Sequence, residues 1–224
     1  MSLTVNCPNC GAEVVFRSAA LPSRVCDYCR SLLVRSDAGV GVAGESAAVP
    51  FDVSPVRVGM RGEADGQSFD VLGRVRWAWT DGSWNEWFLL FADGSSAWLG
   101  DAMGQFMLLR DAPIETARAK ALKRVISGGE ALPGTEAQID GTKYQVSDAR
   151  RVVLLAAEGE LPWTPTPGWK LYSVDLKGRA GECATLQRDA NEATFYTGRY
   201  VTLAELKPKG LRTFEGWAMP DYAR

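Results

Sequence analysis

The clearest chemistry in the sequence belongs to two CxxC pairs, Cys7-Pro8-Asn9-Cys10 and Cys26-Asp27-Tyr28-Cys29, with fifteen residues between Cys10 and Cys26. A two-residue gap sets both thiolates of a pair on one edge of a coordination tetrahedron, and two pairs complete it, which is the spacing of a structural zinc ribbon. Gly11 suits the tight turn of the first knuckle, and Arg30 stands at the matching place in the second. Four thiolates leave no open position on the metal. One Zn2+ per chain, held by Cys7, Cys10, Cys26 and Cys29, is therefore expected to be structural and not catalytic. The same four residues would also serve as redox dithiols, as disulfides or as ligands of an iron–sulfur cluster. The fifth cysteine, Cys183, lies in a strand-like run without a histidine to activate it and reads as a small buried apolar residue.

A second group of residues suits recognition. In Trp84-Asn85-Glu86-Trp87, strand alternation turns Trp84 and Glu86 to one side and Asn85 and Trp87 to the other, so a tryptophan shares its face with an acid. The reading is either a solvent-facing Glu86 beside a partly exposed ring or an aromatic and carboxylate patch joined by Trp77, Trp79 or Trp98. Such a patch stacks on sugars, bases, peptides or cations. Trp163, at the shoulder of the proline-rich stretch 159–168, and Trp169 just after it are further contact candidates. Glu86 and Asp175 stand at related places in their strands, and the sequence alone does not bring them together as a carboxylate pair.

Composition narrows the classes. The chain has 224 residues and no histidine, which removes Ser-His-Asp and Cys-His activation and histidine-ligated catalytic zinc. No phosphate-binding glycine loop, HExxH or GxSxG motif is present, and no catalytic residue is assigned: the chain is read as a non-enzyme. Twenty-five basic residues face 27 acidic ones, without a polybasic run, so nucleic acid is not the expected partner. Eight tryptophans with 23 glycines point to small sheet-built cores or a binding face. No secretory signal and no apolar stretch of membrane-spanning length is found, so a cytoplasmic protein is expected.

The elements that must position these residues are mostly strands. Glu13–Phe16 and Leu32–Val34 read as strands of the ribbon, over 1–35, and 36–55 as a linker with one short strand. Beyond it, Gly59, Asp65, Gly66, Phe69 and Val71 recur 75 residues later as Gly134, Asp140, Gly141, Tyr144 and Val146, a duplicated strand, Asp-Gly turn and strand. Period-2 runs bounded by Asp-Gly turns continue each copy as an antiparallel meander, over 56–110 and 131–206. Between them, 111–126 has helical spacing, with Asp111 as cap and Pro113 in the first turn, inside a connecting segment 111–130. The tail, 207–224, carries Trp217, which docks back on a barrel or latches a homo-oligomer. The fold class expected is mainly β: an N-terminal zinc ribbon plus two tandem SH3-like antiparallel barrels joined by one helix.

The motifs Cys7 to Gly11, Asp65 to Arg74, Trp84 to Gly94, Gly159-Glu160-Leu161-Pro162 and Gly198-Arg199-Tyr200-Val201 together resemble a bacterial family that pairs a short zinc ribbon with a domain of unknown function. The resemblance spans nearly the whole chain and departs at Arg30, where glycine is expected. It supplies no catalytic residues. It implies an accessory role beside envelope-associated systems, at the inner face of the membrane with a membrane-associated partner. The function expected is protein–protein interaction or scaffolding, with a small-ligand-binding module built on the tryptophan and carboxylate patch as the alternative.

Overall fold

In the computed structural model, which describes residues 2–223, the N-terminal region holds five short strands. β1 (Leu3–Asn6) and β2 (Glu13–Phe16) pair as a separate two-stranded sheet, while β3 (Ser23–Val25), β4 (Ser31–Ser36) and β5 (Gly39–Glu45) form a meander. The expected linker at 36–55 thus begins as β5. Alternating small residues in Gly39–Glu45 complete the β4 edge, and the irregular stretch starts only after Glu45.

The first unit comprises β6 (Arg61–Ala64), β7 (Gln67–Trp79), β8 (Gly82–Phe91), β9 (Ser96–Ala102) and β10 (Gln105–Ala112). The second comprises β11 (Glu136–Ile139), β12 (Thr142–Leu161), β13 (Lys170–Gly178), β14 (Glu182–Arg188) and β15 (Ala193–Val201). The duplication reaches individual hydrogen bonds. Gly59 N donates to Val71 O at 2.8 Å and Gly134 N to Val146 O at 2.8 Å. Asp65-Gly66 and Asp140-Gly141 both hold two successive positive φ angles, as a two-residue turn matched to the strand twist requires. Even the bulge is repeated: register shifts after Val71 in β7 and after Val146 in β12.

The two units do not close as two SH3-like barrels. β10 pairs with β15 and β7 pairs with the far half of β12, so the eight strands β7, β8, β9, β10, β15, β14, β13 and β12 form one closed antiparallel ring. β7 and β12, at 13 and 20 residues, outrun their hairpin partners, and the surplus lengths pair with each other. Ala78 lies directly opposite Val153, its own counterpart 75 residues on, so a local twofold runs between them. Glycines permit both seams. A Cβ on Gly159 would sit 2.1 Å from Leu72 O, and one on Gly198 would sit 1.8 Å from Leu108 O, where no side chain fits.

Alternation divides the apolar residues between the two sides of the ring. The inward side contributes Val75, Trp77, Phe88, Trp98, Leu109, Leu154, Leu171 and Cys183 to a central cluster. Outside, Trp87, Leu89 and Leu99 of the first unit are covered by Val56, Met60, Leu206 and Leu211. Residues 207–224 are therefore not wholly a free tail: Leu211 is core, and Lys209 bridges to Arg61. On the second unit, Val174, Leu176 and Leu186 are covered by Leu122 and Val125 of α1 (Lys120–Ile126). That helix is shorter than the expected 111–126. Asp111 and Ala112 remain in β10, paired with Tyr196 and Phe195, and one 3-10 turn at Ile114–Thr116 precedes the helix. The extended ladder claims Asp111 before it can cap, and Ala119, at the actual N-cap, offers no side-chain acceptor.

The ribbon is docked on the ring. β3 continues the sheet by pairing with the end of β12, Arg24 opposite Glu160 and Ser23 opposite Leu161. Glu160 is fully buried and accepts from Arg17 N at 2.7 Å, Ser18 N at 3.1 Å and Arg24 Nη1 at 3.2 Å. The first three residues of the expected loop 159–168 are thus the last three of β12, and only the prolines that follow leave the ladder. No helix among the described residues is long and apolar enough to cross a membrane.

Candidate functional site

The two knuckles bring all four predicted ligand sulfurs within 4.8 Å of one another. Cys7 Sγ is 3.7 Å from Cys29 Sγ, and Cys10 Sγ is 3.8 Å from Cys26 Sγ. A tetrahedron with metal–sulfur bonds of about 2.3 Å has edges of about 3.8 Å, so the donor set fits one tetrahedral thiophilic ion. The knuckles share a backbone pattern, with Gly11 N donating to Cys7 O and Arg30 N to Cys26 O, both at 2.9 Å. Arg30 adopts the left-handed φ of 59° that Gly11 adopts at 76°; the unexpected residue keeps the geometry at a modest conformational cost. The hydroxyl and amide of Ser31 pull the Cys29 thiol down to about 6, whereas burial raises Cys26 and the neighbouring sulfurs raise Cys10 to about 12, so the cluster without a metal shares its protons unevenly and the metal must displace them.

A second site occupies the ring. Its larger cavity, about 910 Å3, is bordered by Trp79, Trp84, Glu86, Met107, Asp148, Arg150, Asp175 and Tyr200. A smaller one, about 110 Å3, lies toward the proline-rich loop and is bordered by Trp77, Trp98, Trp163, Trp169, Tyr196 and Glu86, with Asp189 and Glu192 at its rim. Glu86 borders both. An eight-stranded barrel is wide enough to hold one small molecule, and pockets of several hundred cubic ångströms are ligand-sized.

Glu86 is the pivot. Its Oε2 accepts from Trp77 Nε1 at 2.9 Å; its Oε1 accepts from Trp84 Nε1 at 3.1 Å and Gln187 Nε2 at 2.8 Å. Its side chain is largely enclosed by the ring but borders both cavities and keeps some accessible surface. Burial raises its pKa against the three donors that favour its charge. Asp175, on the opposite wall, is pushed from 3.8 to about 7 by burial, with the negative charges of Glu86 and Asp148 adding to the rise and the Thr185 hydroxyl, at 2.8 Å, opposing it. Two acids from different repeats therefore face one space and repel. They are not repeat mates: ladder register makes Ser173 the counterpart of Glu86 and Phe88 that of Asp175. Arg150 is paired with Asp148 and stacks 4.2 Å over Trp79.

The predicted contact residues separate accordingly. Trp84, Glu86, Trp163 and Trp169 all border the cavities. Trp87 does not: it points to the outer side, 1% exposed, with its Nε1 3.3 Å from Asp101 Oδ2 and Arg74 4.7 Å over its ring. One strand position moves it from the cavity to the first unit's core. Asp148, Gln187, Asp189 and Tyr196 complete the walls and were absent from the predicted set. Parity along β14 and β15 would have placed Gln187 and Tyr196 inward, but only ring closure places them beside Glu86.

A family model described as Domain of unknown function (DUF4178) matches residues 57–203, the span that forms the closed ring and excludes the four cysteines. No curated protein and no solved structure shows a significant match.

Proposed function

Since the chain belongs to the DUF4178 family, we propose that the ring characteristic of the matched span is a receptacle for a small organic molecule, and that the ribbon is a zinc-bound element docked to its wall. The carrying observation is the placement of Glu86: a carboxylate fixed by three nitrogen donors at the junction of a cavity of about 910 Å3, open to solvent past Met103, and a smaller one of about 110 Å3. A barrel evolved only to be a rigid scaffold gains nothing from facing Glu86 and Asp175 across a cavity, because burying acids that have hydrogen-bond donors but no ion-pair partner is costly. A ligand that enters the space supplies the missing partner. Tetrahedral thiolate spacing supports zinc in the ribbon, where it closes a core of Phe16, Val14 and Leu33 too small to hold the segment alone.

Ligand-observed NMR of the metal-loaded protein against a panel of cationic, neutral and anionic small molecules tests this reading. Gly100 borders the larger cavity and lacks positive φ, and a Cβ there meets Met107 at 3.4 Å. Gly100 stands directly opposite Glu86 in the ladder, so Gly100→Leu should project into the cavity beside the carboxylate and weaken binding of whatever the larger cavity accepts there, with the melting temperature retained. Absence of saturable binding by every class would refute the receptacle.

The interaction-module reading keeps one observation in its favour. Phe51 and Trp217 are 80% and 69% exposed and sit beside Phe214, at 6.4 and 6.0 Å between ring centroids. Trp217 thus does not dock back on the ring, and self-association through this group is the form of that reading a sedimentation-velocity comparison with Trp217→Ala would test.

A further inference from the structure

The smaller cavity has the build of an aromatic cage. Trp163 and Trp169 meet at 88° with centroids 5.0 Å apart, Trp77 meets Trp169 at 64° and 6.0 Å, and Trp98 stacks on Trp163 at 29° and 6.1 Å. Rings in near-perpendicular pairs form the walls of a box, and Tyr196 borders the same space. Aromatic packing that merely filled a core would leave no room. Here about 110 Å3 remains, against the roughly 30 Å3 that one water occupies in the liquid.

The electrostatics of the box have one sign. Glu86 forms its floor, Asp189 and Glu192 stand at its rim, and no lysine or arginine borders it. Two of the indole N–H groups that would otherwise repel a cation are engaged by the acids that border the space. Trp77 Nε1 is spent on Glu86 and Trp169 Nε1 on Asp189, at 2.9 and 3.0 Å, so what these rings offer is the negative face of the π system. Indole faces within about 6 Å of a cation attract it, and a desolvated acid adds to the attraction. Anionic ligands are excluded by three carboxylates. A neutral ligand would leave Glu86 without a counter-charge. Entry is available because Trp163 and Trp169 are only half-buried and Glu192 is exposed.

Resting on the receptacle reading, we infer that this cavity binds the methylated ammonium head of a small organic cation, with the tryptophan faces around the methyl groups and Glu86 beneath. A quaternary head has no N–H to donate, which suits a floor carboxylate whose oxygens already accept three hydrogen bonds. The remainder of such a ligand would extend past Glu86 into the larger cavity, which borders the same residue.

The test uses the full-length, metal-loaded protein with choline and its uncharged isostere 3,3-dimethyl-1-butanol as probes, followed by tryptophan fluorescence and calorimetry. Choline should bind saturably and at least about tenfold more tightly than the alcohol. Trp163→Leu keeps an apolar side chain at this half-buried position and should weaken choline binding roughly tenfold while the protein stays folded, its melting temperature lowered by only a few degrees. Replacing tryptophan by 5-fluorotryptophan throughout weakens the ring quadrupole without changing shape and should weaken choline alone. Equal affinity for the two probes, no saturable choline binding, or an unchanged affinity in both Trp163→Leu and the fluorinated protein would overturn the cage. If those failures occur while another class of compound binds and is weakened by Gly100→Leu, the receptacle stands without the cage; if nothing binds, both fall.

Discussion

Replacing Asp175 by asparagine should stabilise the protein, and do so increasingly as pH rises. The folded state holds the Asp175 proton up to about pH 7, whereas the unfolded chain releases it near 3.8. Between those values the unfolded state is favoured by each unit of pH, and above about 7 the loss is complete. At about 1.4 kcal/mol per unit, roughly three units set a ceiling of about 4 kcal/mol. Water in the adjoining cavity screens part of this, so about 2–3 kcal/mol is expected at pH 8, shrinking toward zero as pH falls to 4. Asparagine conserves shape and can still accept from the Thr185 hydroxyl, so the comparison isolates the charge. Urea unfolding of both proteins at several pH values from 5 to 8 gives the difference directly, and the titration of the cysteine cluster cancels in it. A difference that stays constant with pH, or a variant less stable at pH 8, would refute the claim that burial and the facing acids, not packing, set the energetics of this wall.

Three further outcomes follow from the same geometry. Elemental analysis should find one zinc per chain; Cys26→Ser should lose it and expose amides of residues 2–45 to rapid hydrogen exchange, while the ring, with its own cores, keeps its protection. Glu160→Ala removes the acceptor of two partly buried amides and one of the two carboxylates paired with Arg24, and should cost about 2 kcal/mol in denaturant unfolding, with a loss below about 1 kcal/mol counting against its role as the clamp between ribbon and ring. Gly198→Ala forces a Cβ against Leu108 O at the second seam and should cost more than about 3 kcal/mol, whereas Gly100→Ala, with room for its methyl, should be near neutral by thermal melting.

Local chemistry was legible in the sequence because it depends on spacing along the chain. Two-residue gaps determine that Cys7 and Cys10, and Cys26 and Cys29, share tetrahedral edges. The 75-residue offset determines the paired Asp-Gly turns, and period-2 alternation determines that Trp84 and Glu86 share a side that Trp87 does not. The reach of that alternation ends with the strand. Which side is inside was decided by tertiary structure, because the surplus lengths of β7 and β12 pair across the local twofold and the glycines at 159 and 198 let the seams close. Had each unit curled alone, Trp87 would have remained a plausible contact and Glu86 a surface acid. Closure puts Glu86 opposite Asp175, which comes from the other repeat and is not its counterpart, and gathers Trp77, Trp98 and the pair Trp163 and Trp169 from three separate segments. No short-range pattern encodes such a meeting, since it arises from the register of eight strands taken together. The sequence determined the cysteine centre and the content of each face; the closing of the ring decided which face became a cavity and which became core.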